Sequence, residues 1–305
     1  MRIIFFGTPD FAVPTLEAVA REYEVVLVVA QPDKPAGRGM KMQAPPVAVR
    51  ARELGLPLLQ PAKIREEAFL QQVEQLAPDA GVVIAYGRIL PARLLEIPKH
   101  GFFNVHASVL PDYRGAAPIQ RAIAAGELTT GVTIMNIDEQ LDHGPMLAIE
   151  TIDIAPDERL PSVSRRLSEL GGPALVRVLR EVEHGTAVRT EQDHGRATLA
   201  PKIDKQEGLV TFEETTANIY DRFRAFDPWP GVFVESAAET LKVPDMARTA
   251  GDGPPRTVVS IGDGVVVATA DGALRLVTLQ RPGKPRAAAA DVARGLQWKV
   301  GEKLP

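Results

Sequence analysis

The chain has 305 residues, of which 45% are hydrophobic and 24% are charged. This composition is typical of a folded globular protein and excludes a disordered or fibrous one, and a chain of this length is expected to form two domains. It contains no cysteine, which excludes disulfides, a thiolate nucleophile and cysteine-ligated zinc, and its histidines lack paired metal-ligand spacing, so we expect no metal. The formal net charge of −4 argues against a protein that coats nucleic acid generally.

The beginning of the sequence shows no targeting pattern. The apolar stretch from Ile3 to Phe6 comes without a basic region or a cleavage-like site around it. No apolar run reaches the length that crosses a membrane. We therefore expect a cytoplasmic protein that has no membrane partner.

The first half of the chain alternates apolar runs of strand length with amphipathic stretches. Near-continuous apolar strands separated by helices indicate a mostly parallel sheet covered on both faces, which is a Rossmann-like, doubly wound α/β architecture. The first strand lacks GxGxxG, so a dinucleotide site has weak support. The expected strands are residues 2–6, 25–30, 57–59, 80–85 and 102–106, and the expected helices are residues 11–21, 47–54 and 66–76.

The second half begins with a helical pattern that starts near Leu160, is interrupted at 171–173 (Gly-Gly-Pro) and resumes to about Val182. Polar residues then follow, and beyond them β-rich segments are separated by Asp-Gly turn signals, which are typical of a small antiparallel barrel. We expect a Rossmann-like domain over 1–188, a linker over 189–207 and an OB-like β-barrel domain over 208–305. Trp229 is expected to be a packing anchor of the barrel rather than a base-stacking surface. The expected barrel strands are residues 258–261, 265–269 and 274–279.

Polar residues stand where a strand of the predicted sheet ends. Asn104 and His106 are two residues apart, so both side chains project from one face of the strand. If this strand is parallel, they lie near its carboxyl end, where open α/β sheets bind ligands. Asp142 follows another apolar stretch in a glycine-containing loop. Taken alone, Asn104 and Asp142 are also compatible with turn formation, and His106 with a hydrogen-bonded structural histidine.

Two motifs give these residues a context. Asn-x-His-x-Ser-x-Leu-Pro from Asn104, followed by Leu-Asp-x-Gly from Leu141, resembles the signature of the folate-dependent formyltransferases. Further segments resemble methionyl-tRNA formyltransferases over nearly the whole chain. Two departures are visible, because Ala107 stands where the family usually has glycine and Asp112 where a basic residue is common. The further segments begin at Gln31, Val83, Arg114, Gly131 and Phe226.

The resemblance implies transfer of a formyl group from 10-formyltetrahydrofolate, as a cosubstrate, to the α-amino group of methionyl initiator tRNA, by a monomer without metal. It implies a catalytic trio of Asn104, His106 and Asp142. Asn104 and His106 would donate hydrogen bonds to the oxygen that becomes negative, and Asp142 would position the amine and remove its proton, directly or through water or His106. The C-terminal domain would assist tRNA binding. The implied folate contacts are Ser108, Val109, Leu110, Pro111, Tyr86, Gly87, Ile89, Leu90 and Asp138, and the implied tRNA contacts in the basic loop over 32–45 are Lys34, Arg38 and Lys41.

Other functions stay open at this point. The trio is common to formyltransferases that act on small amines, such as glycinamide ribonucleotide or an amino-sugar nucleotide, although the basic loop and the motif from Arg114 favour tRNA. A formyltetrahydrofolate hydrolase would not need the basic loop. A non-catalytic RNA-binding protein would need no trio. Transfer of labelled formyl distinguishes these functions.

Overall fold

The structure is a computed structural model that describes residues 1–36, 41–236 and 239–304. Its residues cluster into two units. Unit 1 comprises Met1–Pro118, Thr129–Asp153 and Ser164–Ala200, and unit 2 comprises Ile119–Leu128, Ile154–Val163 and Pro201–Pro305. Unit 2 therefore contains two short segments that lie earlier in the sequence than its main part. None of the helices in the described part of the chain has the length and apolarity that a membrane crossing requires.

The chain forms strands and helices in the following order. The strands are β1 (Arg2–Gly7), β2 (Glu24–Val29), β3 (Lys34–Ala36), β4 (Lys41–Gln43), β5 (Leu58–Leu59), β6 (Ala80–Ile84), β7 (Phe102–His106), β8 (Arg114–Gly115), β9 (Thr129–Asn136), β10 (Met146–Asp153), β11 (Leu199–Ala200), β12 (Phe233–Glu235), β13 (Thr240–Thr249), β14 (Val258–Ile261), β15 (Val265–Ala268), β16 (Ala273–Gln280) and β17 (Arg286–Ala288). The α-helices are α1 (Val13–Glu22), α2 (Pro46–Glu53), α3 (Glu67–Leu76), α4 (Ala92–Leu95), α5 (Pro118–Ala124), α6 (Leu160–Glu183), α7 (Thr216–Ala225) and α8 (Ala289–Gly295).

Unit 1 is built on a seven-stranded sheet with the order β10-β9-β7-β6-β1-β2-β5. The five strands from β7 to β5 are parallel to their neighbours, whereas β9 is antiparallel to β7 and β10 is antiparallel to β9. The apolar side chains of β1, β2 and β6 are buried, as expected for parallel strands that are covered on both faces. The predicted Rossmann-like, mostly parallel sheet is confirmed.

Helix α6 differs from the prediction, because it runs without a break from Leu160 to Glu183. A Cβ on Gly171 would lie 2.7 Å from Val105 Cγ1, and one on Gly172 would lie 3.0 Å from Ala18 Cβ. The two glycines therefore permit close approach of α6 to β7 and α1, which local sequence patterns cannot reveal. Pro173 lies on the exposed side of the helix.

Unit 2 contains a six-stranded antiparallel sheet. Five of its strands have the order β12-β13-β16-β15-β14, and the sixth, β17, pairs with β16. The sheet curls into a small, open half-barrel, which confirms the predicted C-terminal barrel in this open form. Its core includes the side chain of Trp298. Trp229, in contrast, is 54% exposed, so its expected role as a packing anchor is wrong.

Candidate active site

Asn104, His106 and Asp142 meet at the carboxyl end of β7. The first two project from β7, and Asp142 lies in the loop that joins β9 to β10. The Asn104 amide nitrogen is 3.5 Å from Asp142 Oδ1, and His106 Nδ1 is 3.6 Å from Asp142 Oδ2. The structure thus brings the three predicted side chains together at the sheet edge where open α/β folds bind their ligands.

The His106 ring is only 5% exposed and has an oxygen atom near each nitrogen. Nε2 is 3.0 Å from the carbonyl oxygen of Tyr113. Because a carbonyl oxygen only accepts hydrogen bonds, Nε2 carries a proton in this arrangement. Nδ1, which faces Asp142, is therefore the atom at which His106 can accept or release a proton.

The Asp142 carboxylate accepts a backbone hydrogen bond that the sequence did not predict. The backbone N–H of Gly115 in β8 donates a hydrogen bond of 2.9 Å to Asp142 Oδ2. Strand β8 is itself fixed by parallel pairing with β11, where Gly115 lies opposite Ala200. The backbone of Asp142 has a φ of +47°, a left-handed conformation that non-glycine residues seldom adopt.

Behind Asp142 lies a buried pair of polar side chains, Arg114 and Gln192. Arg114 Nε and Nη2 donate to Gln192 Oε1 at 3.1 and 2.6 Å. The Gln192 amide nitrogen donates to the carbonyl oxygens of Asp142 and Gly144 at 3.0 and 2.8 Å. Gln192 falls in the predicted linker, and no motif pointed to it.

Asp138, a predicted folate contact, lies in the same loop as Asp142. Its Oδ2 atom is 2.7 Å from His143 Nδ1. The His143 ring stacks on the His194 ring with centroids 3.9 Å apart and an interplanar angle of 6°. His194 Nδ1 in turn is 2.9 Å from Arg114 Nη2. Asp138 therefore belongs to a chain of contacts that ends at Arg114.

The segment after β7 contains the predicted folate contacts Ser108, Val109, Leu110 and Pro111. The Ser108 hydroxyl donates to the carbonyl oxygen of Asp112 at 2.6 Å, and the N–H of Leu110 donates to the Thr133 hydroxyl at 3.1 Å. Ser108 and Leu110 are buried, whereas Val109 and Pro111 are half-buried. Val109 and Pro111 thus offer the accessible side chains of this segment.

The Tyr86 side chain lies in the hydrophobic core of unit 1. Its ring forms a T-shaped pair with that of Phe6, with centroids 5.2 Å apart, and burial raises the pKa of its hydroxyl. The Tyr86 carbonyl oxygen accepts hydrogen bonds of 3.1 Å from the side chains of Thr8 and Gln31. Tyr86 therefore anchors the loop that follows β6.

That loop, over 87–90, contains the remaining predicted folate contacts. Gly87 and Ile89 are exposed, and Ile89 projects an apolar side chain into solvent, whereas Leu90 is buried. Within the described ranges, the backbone N–H groups of these four residues donate to no protein acceptor. The loop presents unused hydrogen-bond donors beside an exposed apolar surface.

The basic loop contains the pair of short antiparallel strands β3 and β4, in which Lys34 lies opposite Gln43. Lys34 and Lys41, two of the predicted tRNA contacts, are exposed. The third, Arg38, lies outside the described residues. The two described lysines are accessible to a large ligand.

Comparison with known proteins places the chain in a family. Residues 1–179 match the family model described as formyl transferase, and residues 202–297 match the formyl transferase C-terminal domain. The methionyl-tRNA formyltransferase of Thermus thermophilus is 46% identical over 305 residues, which cover 100% of this chain and 99% of the relative. That of Geobacter metallireducens is 42% identical over 306 residues, covering 100% and 98%.

Solved structures share the fold at low sequence identity. HypX from Aquifex aeolicus in complex with tetrahydrofolic acid has a TM-score of 0.65 at 20% identity and covers 99% of this chain and 48% of its own. An N-formyltransferase from Helicobacter canadensis has a TM-score of 0.70 at 16% identity, covering 92% and 98%. The methionyl-tRNA formyltransferase from Clostridium thermocellum has a TM-score of 0.58 at 16% identity, covering 83% and 95%. Full-length identity above 40% with the two relatives shows that the chain belongs to the methionyl-tRNA formyltransferase family.

Proposed function

We propose that this chain transfers the formyl group of 10-formyltetrahydrofolate to the α-amino group of methionyl initiator tRNA, giving N-formylmethionyl-tRNA for translation initiation. One observation carries the proposal. Asn104, His106 and Asp142 converge at a strand end in a chain that is 46% identical, from end to end, to a methionyl-tRNA formyltransferase. Simple RNA binding would not require this group of side chains.

The chemistry assigns a duty to each side chain. Attack of an amine on a formyl group places negative charge on the formyl oxygen and leaves an excess proton on the nitrogen. The Asn104 amide is a donor for that oxygen, and loss of one such donor costs about 3–4 kcal/mol of activation free energy. His106 can donate to the same oxygen through Nδ1 when its ring is protonated, because its Nε2 atom already contacts the Tyr113 carbonyl oxygen. Asp142 lies within reach of both side chains and removes the proton, directly or through His106 or water. Collapse of the tetrahedral carbon then breaks its bond to the folate nitrogen, which takes up a proton and leaves as tetrahydrofolate.

The folate carrier fits the loops on either side of β7, and it supplies the formyl group. The unused N–H donors over 87–90 suit the acceptor atoms of a flat heterocycle, and Ile89 offers an apolar contact beside them. Tyr86 acts by holding this loop, since its ring is in the core. We assign the segment Ser108–Pro111 to one wall of the site, with Val109 and Pro111 as its accessible side chains and the buried Ser108 and Leu110 as their support. Asp138, through its contact with His143, is assigned to another wall.

The tRNA contacts are assigned to two basic surfaces. Lys34, Arg38 and Lys41 supply the first, in the loop over 32–45. The second is a groove of about 480 Å³ in unit 2, whose lining includes Lys205, Trp229, Lys242, Arg281 and one acidic residue, Glu235. Arg281 pairs with Glu239, whereas in the described part of the chain Lys205 and Lys242 form no ion pair. An exposed aromatic ring beside unpaired ammonium groups suits an unpaired base and its flanking phosphates.

These assignments place catalysis and the barrel's contribution to tRNA binding in different parts of the chain. We assign catalysis to residues 1–188 and assistance of tRNA binding to the barrel over 208–305. Residues 189–207 connect the two, and their first part, with Gln192 and β11, belongs to unit 1. The chain acts as a monomer in the cytoplasm. Light scattering of the purified protein, alone and with tRNA, tests the monomer: a mass twice that of one chain contradicts it.

An amino-sugar nucleotide is the rival acceptor. The Helicobacter canadensis structure contains folinic acid and dTDP-3-aminofucose, but at 16% identity it supports a common fold and not a common substrate. The full-length identity to methionyl-tRNA formyltransferases favours tRNA. The two acceptors can be compared directly in one assay.

The test is transfer of labelled formyl from 10-formyltetrahydrofolate to methionyl initiator tRNA, with methionyl elongator tRNA and an amino-sugar nucleotide as competing acceptors. We expect transfer to the initiator, abolished in His106→Ala and retained in His184→Ala, which removes an exposed histidine outside the site. Transfer to the amino sugar alone would overturn the substrate assignment. Absence of transfer to every acceptor would overturn the enzyme assignment.

A further inference from the structure

Gln192 is 4% exposed, and each polar atom of its side chain is used. The oxygen accepts two hydrogen bonds from Arg114, and the nitrogen donates to the carbonyl oxygens of Asp142 and Gly144. A guanidinium has donors only, so it fixes which end of the amide faces it. Arg114 thereby directs the Gln192 nitrogen at the loop that contains Asp142.

This contact bears on the trio because Asp142 is held in a left-handed backbone conformation. The Gly115 N–H fixes its carboxylate, and Gln192 fixes its carbonyl oxygen. The Asp142 oxygens are 3.5 Å from Asn104, at the outer limit of hydrogen bonding, and 3.6 Å from His106, just beyond it. A small displacement of the loop would therefore break both contacts.

The residue type at position 192 indicates what the contact is for. Among the described residues, the side-chain partners of the buried Arg114 guanidinium are Gln192 and His194, and neither is a carboxylate. A glutamate would compensate the charge of Arg114 better, since buried arginines are ordinarily paired with acids. A glutamate cannot, however, donate to two carbonyl oxygens. The distinctive contribution of glutamine is thus its pair of hydrogen bonds to the loop.

We propose that Gln192, oriented by Arg114, is a positioning residue for formyl transfer that keeps the Asp142 carboxylate within contact distance of Asn104 and His106. The proposal rests on the proposed function for its reaction, but its structural part can be measured without transfer. It assigns an active-site duty to the segment that follows α6.

Gln192→Glu separates the two contacts, because it keeps a partner for Arg114 while removing both donors to the loop. We expect kcat to fall by about 10²-fold, the loss typical of a displacement of about 1 Å in an active site. The KM values for methionyl-tRNA and folate should stay close to those of the wild type, and a melting curve should show that the variant is folded at the assay temperature. Gln192→Asn, which keeps a neutral amide but shortens its reach, should show the same loss of kcat and replaces the first variant if that one does not fold.

Gln60→Glu is the matched control. The Gln60 oxygen likewise accepts from an arginine, Arg52, at 2.8 Å, and its nitrogen donates to the carbonyl oxygen of Gln31 at 2.9 Å and to Asp33 Oδ1 at 2.7 Å. The substitution is harsher at Gln60 than at Gln192, because the new carboxylate faces Asp33. The same change of charge is made there, away from Asp142, so kcat should be unchanged. An equal loss of kcat in both variants would overturn the assignment of a specific role to Gln192.

The ¹⁵N resonances of the histidine rings give a second measurement. In Gln192→Glu, we expect the His106 resonances to shift because the contact with Asp142 changes, whereas those of His100 should stay in place. An unchanged kcat in the folded variant overturns the proposal. If the wild type transfers no formyl group, the proposed function fails, and the His106 resonances alone decide whether Gln192 positions the pair: shifted resonances support it, and unchanged ones overturn it.

Discussion

The backbone N–H of Gly115 and the carboxylate of Asp142 are joined by a hydrogen bond of 2.9 Å. Gly115 has a φ of +131°, and a Cβ at this position would lie 2.6 Å from the carbonyl oxygen of Ala200. Alanine would therefore push β8 away from β11 and move the donor. We expect Gly115→Ala to lower kcat by about 10²-fold with little change in KM, as measured by steady-state kinetics.

Gly55→Ala is the control for this substitution. Gly55 also has a positive φ, of +66°, but nothing lies within 4 Å of an added Cβ. The variant has the backbone strain of alanine in a left-handed conformation without a steric clash near the site. A comparable loss of kcat in Gly55→Ala would mean that general strain, and not the donor to Asp142, accounts for the effect.

Asn104→Asp replaces the amide donor with a carboxylate that faces Asp142. We expect kcat to fall by at least about 10²-fold, because a donor to the developing negative charge is lost and a like charge is added. Steady-state rates with saturating folate and tRNA measure the effect. Asn218→Asp, on an exposed position of α7, should retain the wild-type kcat, and a wild-type kcat in Asn104→Asp would remove Asn104 from the catalytic group.

The groove in unit 2 predicts a separate effect on tRNA binding. Trp229→Leu should weaken tRNA binding by about 1–3 kcal/mol, the usual contribution of one stacked base, with kcat unchanged at saturating tRNA. Lys242→Ala should reduce the salt dependence of binding by about one phosphate contact. Filter binding over a salt series measures both, and Lys303→Ala, outside the groove lining, is the control.

Tryptophan fluorescence tests the same groove directly. The chain has two tryptophans, and in Trp298→Phe the exposed Trp229 is the remaining one. Stacking of a base on its ring should quench the emission when tRNA is added. Undiminished emission at a tRNA concentration that saturates binding would show that no base stacks on Trp229.

Asp221 and Arg224 form a buried ion pair within α7, with a nitrogen–oxygen distance of 2.7 Å. Arg224 also donates to the carbonyl oxygen of Glu158 at 3.0 Å. Removal of one partner leaves a buried charge without compensation, so Asp221→Ala should lower the free energy of unfolding by about 3–5 kcal/mol. Denaturant unfolding measures the loss.

The exposed pair of Asp291 and Arg294 offers a matched comparison, because it has the same residue types at the same spacing. Solvent screens such pairs, so Asp291→Ala should change stability little. Equal losses of unfolding free energy in the two variants would show that burial does not make the pair of Asp221 and Arg224 more important for stability.

The sequence predicts those features that depend on local patterns. Strand β14 has the predicted bounds, Val258–Ile261, because apolar β-branched residues flanked by turn signals define it without distant partners. The convergence of Asn104 and His106 followed from alternation along one strand. The position of Asp142 beside them depended on family motifs and not on spacing.

Features that depend on distant contacts were missed. The interruption expected near Gly171 is absent because Val105 packs against that glycine. Gln192 contacts Asp142 across 50 residues of sequence, and a single polar residue in a polar segment has no periodic signal. Gly115 likewise acts through its backbone, which the side-chain pattern does not record.

Unit 2 is built from three separate segments of the sequence, and this constrains the order in which the protein can fold during its own synthesis. Three side chains from its early segments, Arg121, Asp157 and Arg159, pair with Glu207, Tyr220 and Asp245. The ribosome makes these partners between about 60 and 90 residues later, so the three side chains emerge before their native partners exist. A nascent chain that stops near residue 200 leaves them exposed to chaperones and proteases, and unit 2 becomes complete only after its last strands leave the ribosome.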